Sequence, residues 1–381
     1  MVRKEVLVKR DYYFNLLDSN TISFRKGNGK NIALLGPRGC GKTTIVKEYI
    51  KNVKDIVPVY VDLARISLNP ENFSIEFIGN VIFHFLKKPL EEYKKLLLLE
   101  NILKIEEELK SKNAFSLIKT VENELLKIKP DQKLLVETAF KFSEALGKES
   151  NKKFLIALDN FENLLDLNNF SQIKDVLSII NFNAQNVIYL ATSSAVKESL
   201  SLLKKFECYE IKGLEKNESI VLIESLIGKA DKNIAGEIFD SSNGNPLVIT
   251  IISKKYLETK NVREAFLIEL LQKNNSLYNF CNDSLNYYYN RARGQTLLKT
   301  ILKVVANEEL RLSQIAKKLY RSAPVTKSIL ERLMFADIVY KKDNKFYFAD
   351  NVLRLWFKLT SQGYDFDEID EKILEKLMKE I

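Results

Sequence analysis

Short continuous apolar runs alternate with stretches of helical periodicity over the first 213 residues. The runs are rich in aliphatic residues, as expected for strands that are buried on both faces of a sheet. They predict five strands, at residues 32–35, 57–63, 154–159, 186–191 and 208–211. Strands that alternate with helices predict an α/β domain whose parallel five-stranded sheet is covered on both faces.

Residues 70–150 separate the second predicted strand from the third. Segments such as EEYKKLLLLENILKIEEELKSK repeat apolar residues at spacings of three and four, which predicts amphipathic helices. We interpret them as a helical insertion packed on the sheet, with a partner-binding arm as the alternative. His84, in the apolar run VIFHFL, is predicted to be a packed helix residue.

A different pattern follows residue 293. Residues 312–319 predict a capped helix, residues 320–323 a turn, and residues 324–335 a second helix. The apolar positions expected to face inward on this second helix are Val325, Ile329, Leu330 and Leu333. The segment IVYKKDNKFYFAD then predicts a hairpin that turns at Asp343 and Asn344. A helix, a turn, a helix and a hairpin together predict a winged helix, which we place at residues 294–360.

The net charge of +9 is unevenly distributed. Residues 294–360 contain 13 Lys and Arg against 6 Asp and Glu, whereas residues 361–381 contain 3 against 7. A basic winged helix predicts double-stranded DNA as a partner, and a protein-docking module is the alternative. The residues expected to approach DNA are Arg321, Thr326 and Lys327 from the helix side and Lys341, Lys342 and Lys345 from the hairpin. Trp356 and Phe357, in FYFADNVLRLWFKL, are expected in the core rather than stacked on bases.

The cysteine, histidine and hydropathy patterns limit which kinds of site the protein can have and where we expect it to be located. Three separated cysteines and a single histidine allow neither a disulfide framework nor a zinc site with the usual spacing. Apolar runs are too short to span a membrane, and the N-terminus lacks the apolar region of a signal peptide. We therefore expect a cytoplasmic protein with no membrane association, whose chemistry depends on Lys, Asp, Glu, Ser or Thr and a bound ion.

The segment GPRGCGKTT matches the phosphate-binding pattern GxxxxGK[ST] between a predicted strand and a predicted helix. In such a loop, glycines allow several backbone N–H groups to point at phosphate oxygens, beside the positive end of the helix dipole. Lys42 is expected to reach the β- and γ-phosphates, and the Thr43 hydroxyl to bind Mg²⁺. Cys40 is interpreted as a small residue in a tight turn, with a redox switch as the alternative. The loop residues expected to contact nucleotide are Gly36, Pro37, Arg38, Gly39, Cys40, Gly41, Lys42, Thr43 and Thr44.

Polar residues follow two of the later strands. Asp159 ends the third predicted strand, where a Walker B aspartate holds Mg²⁺ directly or through water. The next residue is Asn160, whose amide cannot accept a proton, so hydrolysis should be slow unless Glu162 replaces the missing base. Thr192 follows the fourth strand, where it is either a sensor of the γ-phosphate or part of a helix cap. The guanine-specific NKxD motif does not appear, which favours ATP and ADP with Mg²⁺.

Four segments carry a family likeness: GPRGCGKTT, FLIALDN, IYLATSS and SSNGNPLVI. They resemble the archaeal ATPase family within the STAND branch of AAA+ and related P-loop ATPases, which are relatives of the origin-recognition proteins. The resemblance implies an all-α lid after the ATPase core. It also implies that Val8, Lys9 and Arg10 lie against the adenine, and that Pro246 contacts the base or the ribose. Asn160 departs from the family, which usually has an acidic residue there.

These observations predict a P-loop NTPase (ASCE/AAA+-like) core at residues 1–213, with an insertion at about 70–150. A helical lid at 214–293, a winged helix at 294–360 and an acidic C-terminal tail at 361–381 would follow. The expected function is an ATP-binding switch with slow hydrolysis, either a monomer or a nucleotide-dependent oligomer. A nucleotide-gated scaffold without DNA binding and an efficient oligomeric ATPase remain the alternatives.

Overall fold

In a computed structural model of the protein, residues 10–229, 231–292 and 295–380 are described. Within them, five parallel strands form one sheet in the order β2-β3-β4-β1-β5. The strands are β1 (Asn31–Leu35), β2 (Val57–Asp62), β3 (Phe154–Asp159), β4 (Val187–Ser193) and β5 (Phe206–Glu210). The prediction of a parallel five-stranded sheet is confirmed, with strand ends that differ from the predicted ones by no more than two residues. Because every strand runs in the same direction, the carboxyl ends of β1, β3 and β4 meet at one edge of the sheet.

Helices cover both faces of the sheet, because alternate strand residues point to opposite sides. Ile32 and Leu34 of β1 pack with α1 (Asp11–Arg25) and α2 (Lys42–Asn52). Ala33 and Leu35 pack into the core on the other face, which the insertion helices cover. The insertion forms helices as predicted: α3 (Pro70–Phe85), α4 (Leu90–Tyr93), α5 (Leu99–Ile102), α6 (Glu106–Leu109), α7 (Lys112–Leu125) and α8 (Gln132–Ser150). Short 3₁₀ helices occupy Lys94–Leu97, Phe161–Asn169 and Val176–Ser178, and α9 (Val196–Leu202) follows β4.

His84 lies in α3, half-buried, with its Nδ1 atom 2.8 Å from the carbonyl oxygen of Asn80. Burial lowers the pKa of this imidazole. The prediction of a packed helix residue is confirmed.

A group of helices follows β5 and precedes residues 295–360, which we call the C-terminal unit. They are α10 (Lys216–Ile227), α11 (Lys232–Ser242), α12 (Pro246–Thr259), α13 (Val262–Leu271) and α14 (Ser276–Ala292). Their buried side chains share one continuous hydrophobic core with the C-terminal unit. If these helices move, we expect the C-terminal unit to move with them, because packed interiors transmit strain.

The C-terminal unit contains the predicted helix, turn, helix and hairpin. Its elements are α15 (Gln295–Asn307), β6 (Leu310–Arg311), α16 (Leu312–Lys318), α17 (Ala323–Phe335), β7 (Val339–Lys342), β8 (Lys345–Phe348) and α18 (Asn351–Thr360). The strands pair antiparallel in the order β6-β8-β7. Asp343 and Asn344 connect β7 to β8 with φ angles of 48° and 62°, the left-handed values of a two-residue hairpin turn. Trp356 and Phe357 are buried, as predicted.

Two positions on α17 correct the predicted orientation of that helix. Val325 is 43% exposed, whereas Thr326 is fully buried with Ile329, Leu330 and Leu333. The Thr326 hydroxyl donates to the carbonyl oxygen of Ser322 at 3.0 Å, which allows a polar residue to be buried at this position. The buried stripe therefore begins with Thr326 instead of Val325, and its other three positions are as predicted.

The acidic segment predicted as a tail folds back on the preceding helices. Helix α19 (Glu371–Glu380) buries Leu374 and Leu377 in the core shared with α13. Ahead of it, the N–H group of Lys273 donates to the carbonyl oxygen of Phe366 at 2.7 Å. The net negative charge of this segment lies at residues 365–370, just ahead of α19, because the three glutamates of the helix are balanced by three lysines.

Candidate functional site

The phosphate-binding loop connects β1 to α2 and depends on two glycines in left-handed conformations. Gly39 and Gly41 have φ angles of 78° and 95°, values that L side chains adopt only with strain. A Cβ atom on Gly39 would also lie 2.8 Å from the Asn245 side chain. The loop therefore requires glycine both for its own turn and for its contact with α12.

Lys42 is the first residue of α2, and its side chain is buried within the loop. Its ammonium donates to the carbonyl oxygens of Gly36 at 2.7 Å and Pro37 at 2.9 Å, and to the Ser194 hydroxyl at 3.0 Å. The positive charge of Lys42 is therefore held between the phosphate-binding loop and the end of β4. Elsewhere in the loop, Cys40 is buried with its Sγ atom 3.7 Å from the Lys42 ammonium, whereas Thr44 is exposed.

Asp159 ends β3 and accepts hydrogen bonds from three hydroxyl groups. Thr43 donates to Oδ1 at 3.1 Å, Thr192 also donates to Oδ1, and Tyr60 donates to Oδ2 at 2.6 Å. Burial and the neighbouring Asp159 carboxylate raise the pKa of Tyr60, which keeps its hydroxyl protonated as a donor. The structure thus brings together Thr43, Asp159 and Thr192, and adds Tyr60, which sequence reasoning missed.

The oxygen donors at this edge fit Mg²⁺. A hydroxyl and a carboxylate are hard ligands, and Mg²⁺ usually takes only one or two protein groups together with phosphates and water. Among the described residues, no cluster of three or more His, Cys, Asp or Glu side chains could hold a metal ion by itself. Thr43 and Asp159 form the pair expected to hold the ion of a magnesium–nucleotide complex.

Asn160 and Glu162 follow Asp159 and have different surroundings. Asn160 is in a left-handed conformation with φ of 56°, and its N–H group donates to the Thr192 hydroxyl at 3.2 Å. Glu162 is buried, and its Oε1 accepts from the N–H group of Ser194 at 3.1 Å and from the Tyr287 hydroxyl at 2.8 Å. Within the described part of the chain, its Oε2 has no hydrogen-bond partner. Glu162 is therefore held by a residue of α14, which lies 125 positions further along the chain.

Helix α12 touches the phosphate-binding loop through its N-cap. Asn245 accepts from the N–H groups of Leu247 and Val248, and its Nδ2 donates to the carbonyl oxygen of Arg38 at 3.0 Å. The Arg38 guanidinium also lies 5.1 Å from the centre of the Tyr287 ring. The motif that contains Pro246 thus contacts the loop through its asparagine, and the role of the proline at the base stays a prediction.

The start of α1 lies against the end of β5. Arg10 is buried and donates to the carbonyl oxygen of Lys212 at 2.9 Å, while the Tyr13 hydroxyl donates to that of Glu210 at 3.0 Å. Val8 and Lys9, the other residues expected near the adenine, lie outside the described residues.

The segment after β4 connects the site to the C-terminal unit. The N–H group of Lys197 donates to the Asp337 carboxylate at 3.1 Å, and Glu198 pairs with Arg291 of α14. Burial raises the pKa of Asp337 and lowers that of Arg291. Ser194, which accepts a hydrogen bond from the Lys42 ammonium, therefore lies only three residues before Lys197 in the same segment.

The residues expected to approach DNA differ in exposure. Arg321, Lys327, Lys341 and Lys342 are exposed and Lys345 is half-exposed. Lys327 lies 3.8 Å from Glu331, and Lys342 is paired in register with Lys345 across the hairpin. Thr326 is buried, so its side chain cannot reach a DNA backbone, and the prediction is wrong for this residue.

Comparisons with known proteins relate these features to other chains. Residues 12–215 match the KAP family P-loop domain. The sequence has no match among curated proteins. Among the described residues, no helix is both long and apolar enough to cross a membrane.

Solved structures share the fold at low sequence identity. The Walker-type ATPase PABY2304 of Pyrococcus abyssi is 16% identical, with a TM-score of 0.64 over 93% of this chain and 97% of that one. The ORC2 protein of Aeropyrum pernix, solved as ADPNP–ADP complexes, is 12% identical, with a TM-score of 0.55 over 95% and 97%. At these identities the likeness concerns the fold. The family match, which spans more than half of the chain, shows that this P-loop NTPase belongs to the KAP family.

Proposed function

We propose that the protein is an ATP-binding switch that hydrolyses ATP slowly and passes its nucleotide state to a DNA-binding winged helix at residues 294–360. The observation that carries this proposal is the hydrogen bond between Glu162, three residues after Asp159, and Tyr287 of α14. It joins the nucleotide site directly to the helices that share a core with the C-terminal unit.

Adenine is favoured as the base. The sequence contains no guanine-specific NKxD motif, and the ORC2 structure that shares the fold was solved with ADPNP and ADP. Thr43 and Asp159 would hold Mg²⁺ with the nucleotide. The bound ion would neutralise charge on the β- and γ-phosphates during transfer.

Slow hydrolysis follows from the groups beside Asp159. Asn160 can orient water but cannot take its proton, and Glu162 is engaged by Ser194 and Tyr287. A missing general base costs roughly 10² to 10⁴ in rate. Single-turnover hydrolysis should be slow in the wild type and change little in Glu162→Gln. A fast wild type whose activity is abolished by Glu162→Gln would identify Glu162 as the base and overturn slow hydrolysis.

Coupling requires ATP and ADP to bind the two conformations of the protein with different affinities. A change from 1:99 to 99:1 needs a differential binding free energy of about 5.5 kcal/mol. We assign the origin of this difference to the γ-phosphate and Mg²⁺. Two hydrogen bonds would transmit the change from the nucleotide site. Glu162 with Tyr287 reaches α14, whose core is shared with the C-terminal unit, and Lys197 with Asp337 reaches that unit directly.

DNA binding is proposed for the winged helix because its basic residues are exposed on α17 and the hairpin. The test is a titration of double-stranded DNA in the ATP-analogue and ADP states, each at two salt concentrations. We expect binding that depends on both nucleotide and salt. Equal affinities in both nucleotide states would overturn the switch.

A protein-docking scaffold is the second candidate, because apolar side chains are also exposed on the C-terminal unit. Tyr320 is 97% exposed, and Val325 and Phe335 are each more than 40% exposed. Large exposed apolar side chains in one region are typical of protein-interaction sites. Absence of DNA binding at low salt in both nucleotide states would favour this function.

A further inference from the structure

Asp62 ends β2, directly across from Asp159 in the register of the sheet. We propose that Asp62 is a positioning residue for ATP hydrolysis, which fixes the side-chain amide of Asn160 so that its oxygen can bind the attacking water. The inference rests on the proposed hydrolysis of ATP and adds a residue to that site.

The contact between the two side chains is direct. The Nδ2 atom of Asn160 donates to the Oδ1 atom of Asp62 at 2.8 Å. A carboxylate only accepts hydrogen bonds, so the NH₂ group of the amide must face Asp62. The hydrogen bond therefore determines which end of the Asn160 amide is turned away from Asp62.

Both partners are held by the backbone around them. The left-handed φ of 56° at Asn160 is a conformation that asparagine tolerates better than most residues. The Asp62 carboxylate also accepts from the N–H group of Ala64 at 3.1 Å and pairs with Arg65 at 3.2 Å. Its side chain is only 16% exposed. The pair thus lies on the rigid edge of the sheet, beside the candidate magnesium ligand Asp159.

The chemistry left to Asn160 is orientation. Within the described residues, no hydrogen bond is made to its Oδ1 atom, which can accept one from water. The Asp62 carboxylate is engaged by Asn160, Ala64 and Arg65, so the role that we assign to Asp62 is to act through Asn160. Misplacement of a reacting group can cost as much as roughly 10²-fold in rate.

The test is a double-variant cycle measured by single-turnover hydrolysis, with magnesium–ATP affinity measured by calorimetry. Asp62→Ala and Asn160→Ala should each lower the hydrolysis rate by about tenfold and leave ATP affinity within about twofold. The double variant should be no slower than either single variant, because both remove the same oriented amide. Arg65→Ala is the control: it removes the exposed partner of Asp62 but keeps the bond to Asn160, and should stay within about twofold of wild type.

An exchange of the two side chains tests the same hydrogen bond by rescue. Asn160→Asp alone supplies the carboxylate that the wild type lacks, but repulsion from Asp62 should displace it, so this variant should be slow. Combining it with Asp62→Asn restores a hydrogen bond with donor and acceptor exchanged, which should position the new carboxylate and raise the rate at least about tenfold over Asn160→Asp. Failure of this rescue, in protein that binds ATP normally, would overturn the role of Asp62.

Two other outcomes separate this inference from the proposed function. Independent losses that multiply in the double variant, or a normal rate in Asp62→Ala, would refute positioning through Asn160 while leaving slow hydrolysis intact. A wild type that binds ATP but shows no hydrolysis would overturn both the proposed reaction and the role of Asp62. The DNA titration in two nucleotide states would still test the switch.

Discussion

The nucleotide site and the basic surface of the C-terminal unit are built differently. Lys42 is 7% exposed and makes hydrogen bonds to two carbonyl oxygens and a hydroxyl. Lys327, by contrast, is exposed and lies at 3.8 Å from one carboxylate. Hydrogen bonds within the protein hold the Lys42 ammonium in place. The basic surface instead acts through the summed electrostatic potential of several exposed side chains. Single substitutions should therefore be severe in the nucleotide site, while several are needed at the basic surface.

The largest expected effect is that of Lys42→Ala on nucleotide binding. A hydrogen bond to a charged group is worth roughly 1.5 to 3 kcal/mol, so ATP affinity should fall by about 10- to 150-fold. Calorimetry on the folded variant measures this loss. Lys51→Ala, which removes an exposed charge from the same helix, should leave the affinity unchanged. Equal ATP affinities in wild type and Lys42→Ala would refute the phosphate-binding role of the loop.

The second prediction concerns the basic surface as a group. Changing Lys327, Lys341 and Lys342 together to Glu should lower DNA affinity at least about tenfold, because binding depends on neutralised phosphates. With about four to six phosphates neutralised in the wild type, the logarithm of the binding constant should fall against the logarithm of salt with a slope of roughly −4 to −5.

The control for the triple variant of the basic surface applies the same change of charge to the helical insertion. Lys104, Lys112 and Lys133 are exposed there, and their triple change to Glu should leave most of the DNA affinity. If both triple variants lose affinity equally, long-range charge rather than the C-terminal surface determines binding. A flat salt response would support the protein-docking scaffold.

The third prediction tests the connection between the two regions. Tyr287→Phe removes the hydroxyl that donates to Glu162, a buried carboxylate, and should cost about 1.5 kcal/mol in the free energy of unfolding. It should also reduce the difference in DNA affinity between the ATP and ADP states. Burial and the Glu162 carboxylate raise the pKa of Tyr287, so the hydroxyl remains a neutral donor throughout the physiological range.

Tyr289 provides the matched control two residues further along α14. It is buried, but within the described residues its hydroxyl has no hydrogen-bond partner. Tyr289→Phe should therefore be neutral or slightly stabilising and should leave the nucleotide dependence of DNA binding intact. Similar effects of the two substitutions on that dependence would argue against coupling through Glu162.

The sequence identifies the parts of the site that short motifs encode. Lys42 and Thr43 follow from a contiguous loop pattern, and Asp159 from its position at the end of a strand. The same argument could have found Asp62, because VPVYVD also ends in a carboxylate at the edge where parallel strands finish. Tyr287 carries no such local signal, because its contact with Glu162 depends on how a distant helix packs. Thr326 shows the limit of apolar patterns, since a hydroxyl satisfied within its own helix can be buried.

The smallest expected effect distinguishes helix capping from contact with nucleotide. Asn245 caps α12 and also donates to the carbonyl oxygen of Arg38, whereas Asn261 caps α13 by accepting from the N–H group of Glu264 at 3.1 Å. Changing either residue to Ala should cost about 1 kcal/mol in the free energy of unfolding, because each removes one cap. Only Asn245→Ala should also weaken ATP binding, by roughly fivefold, because one neutral hydrogen bond to the loop is worth about 1 kcal/mol. Unfolding and calorimetric titration of both variants measure the two effects separately. If ATP affinity is unchanged in Asn245→Ala, the contact with Arg38 stabilises α12 without organising the phosphate-binding loop.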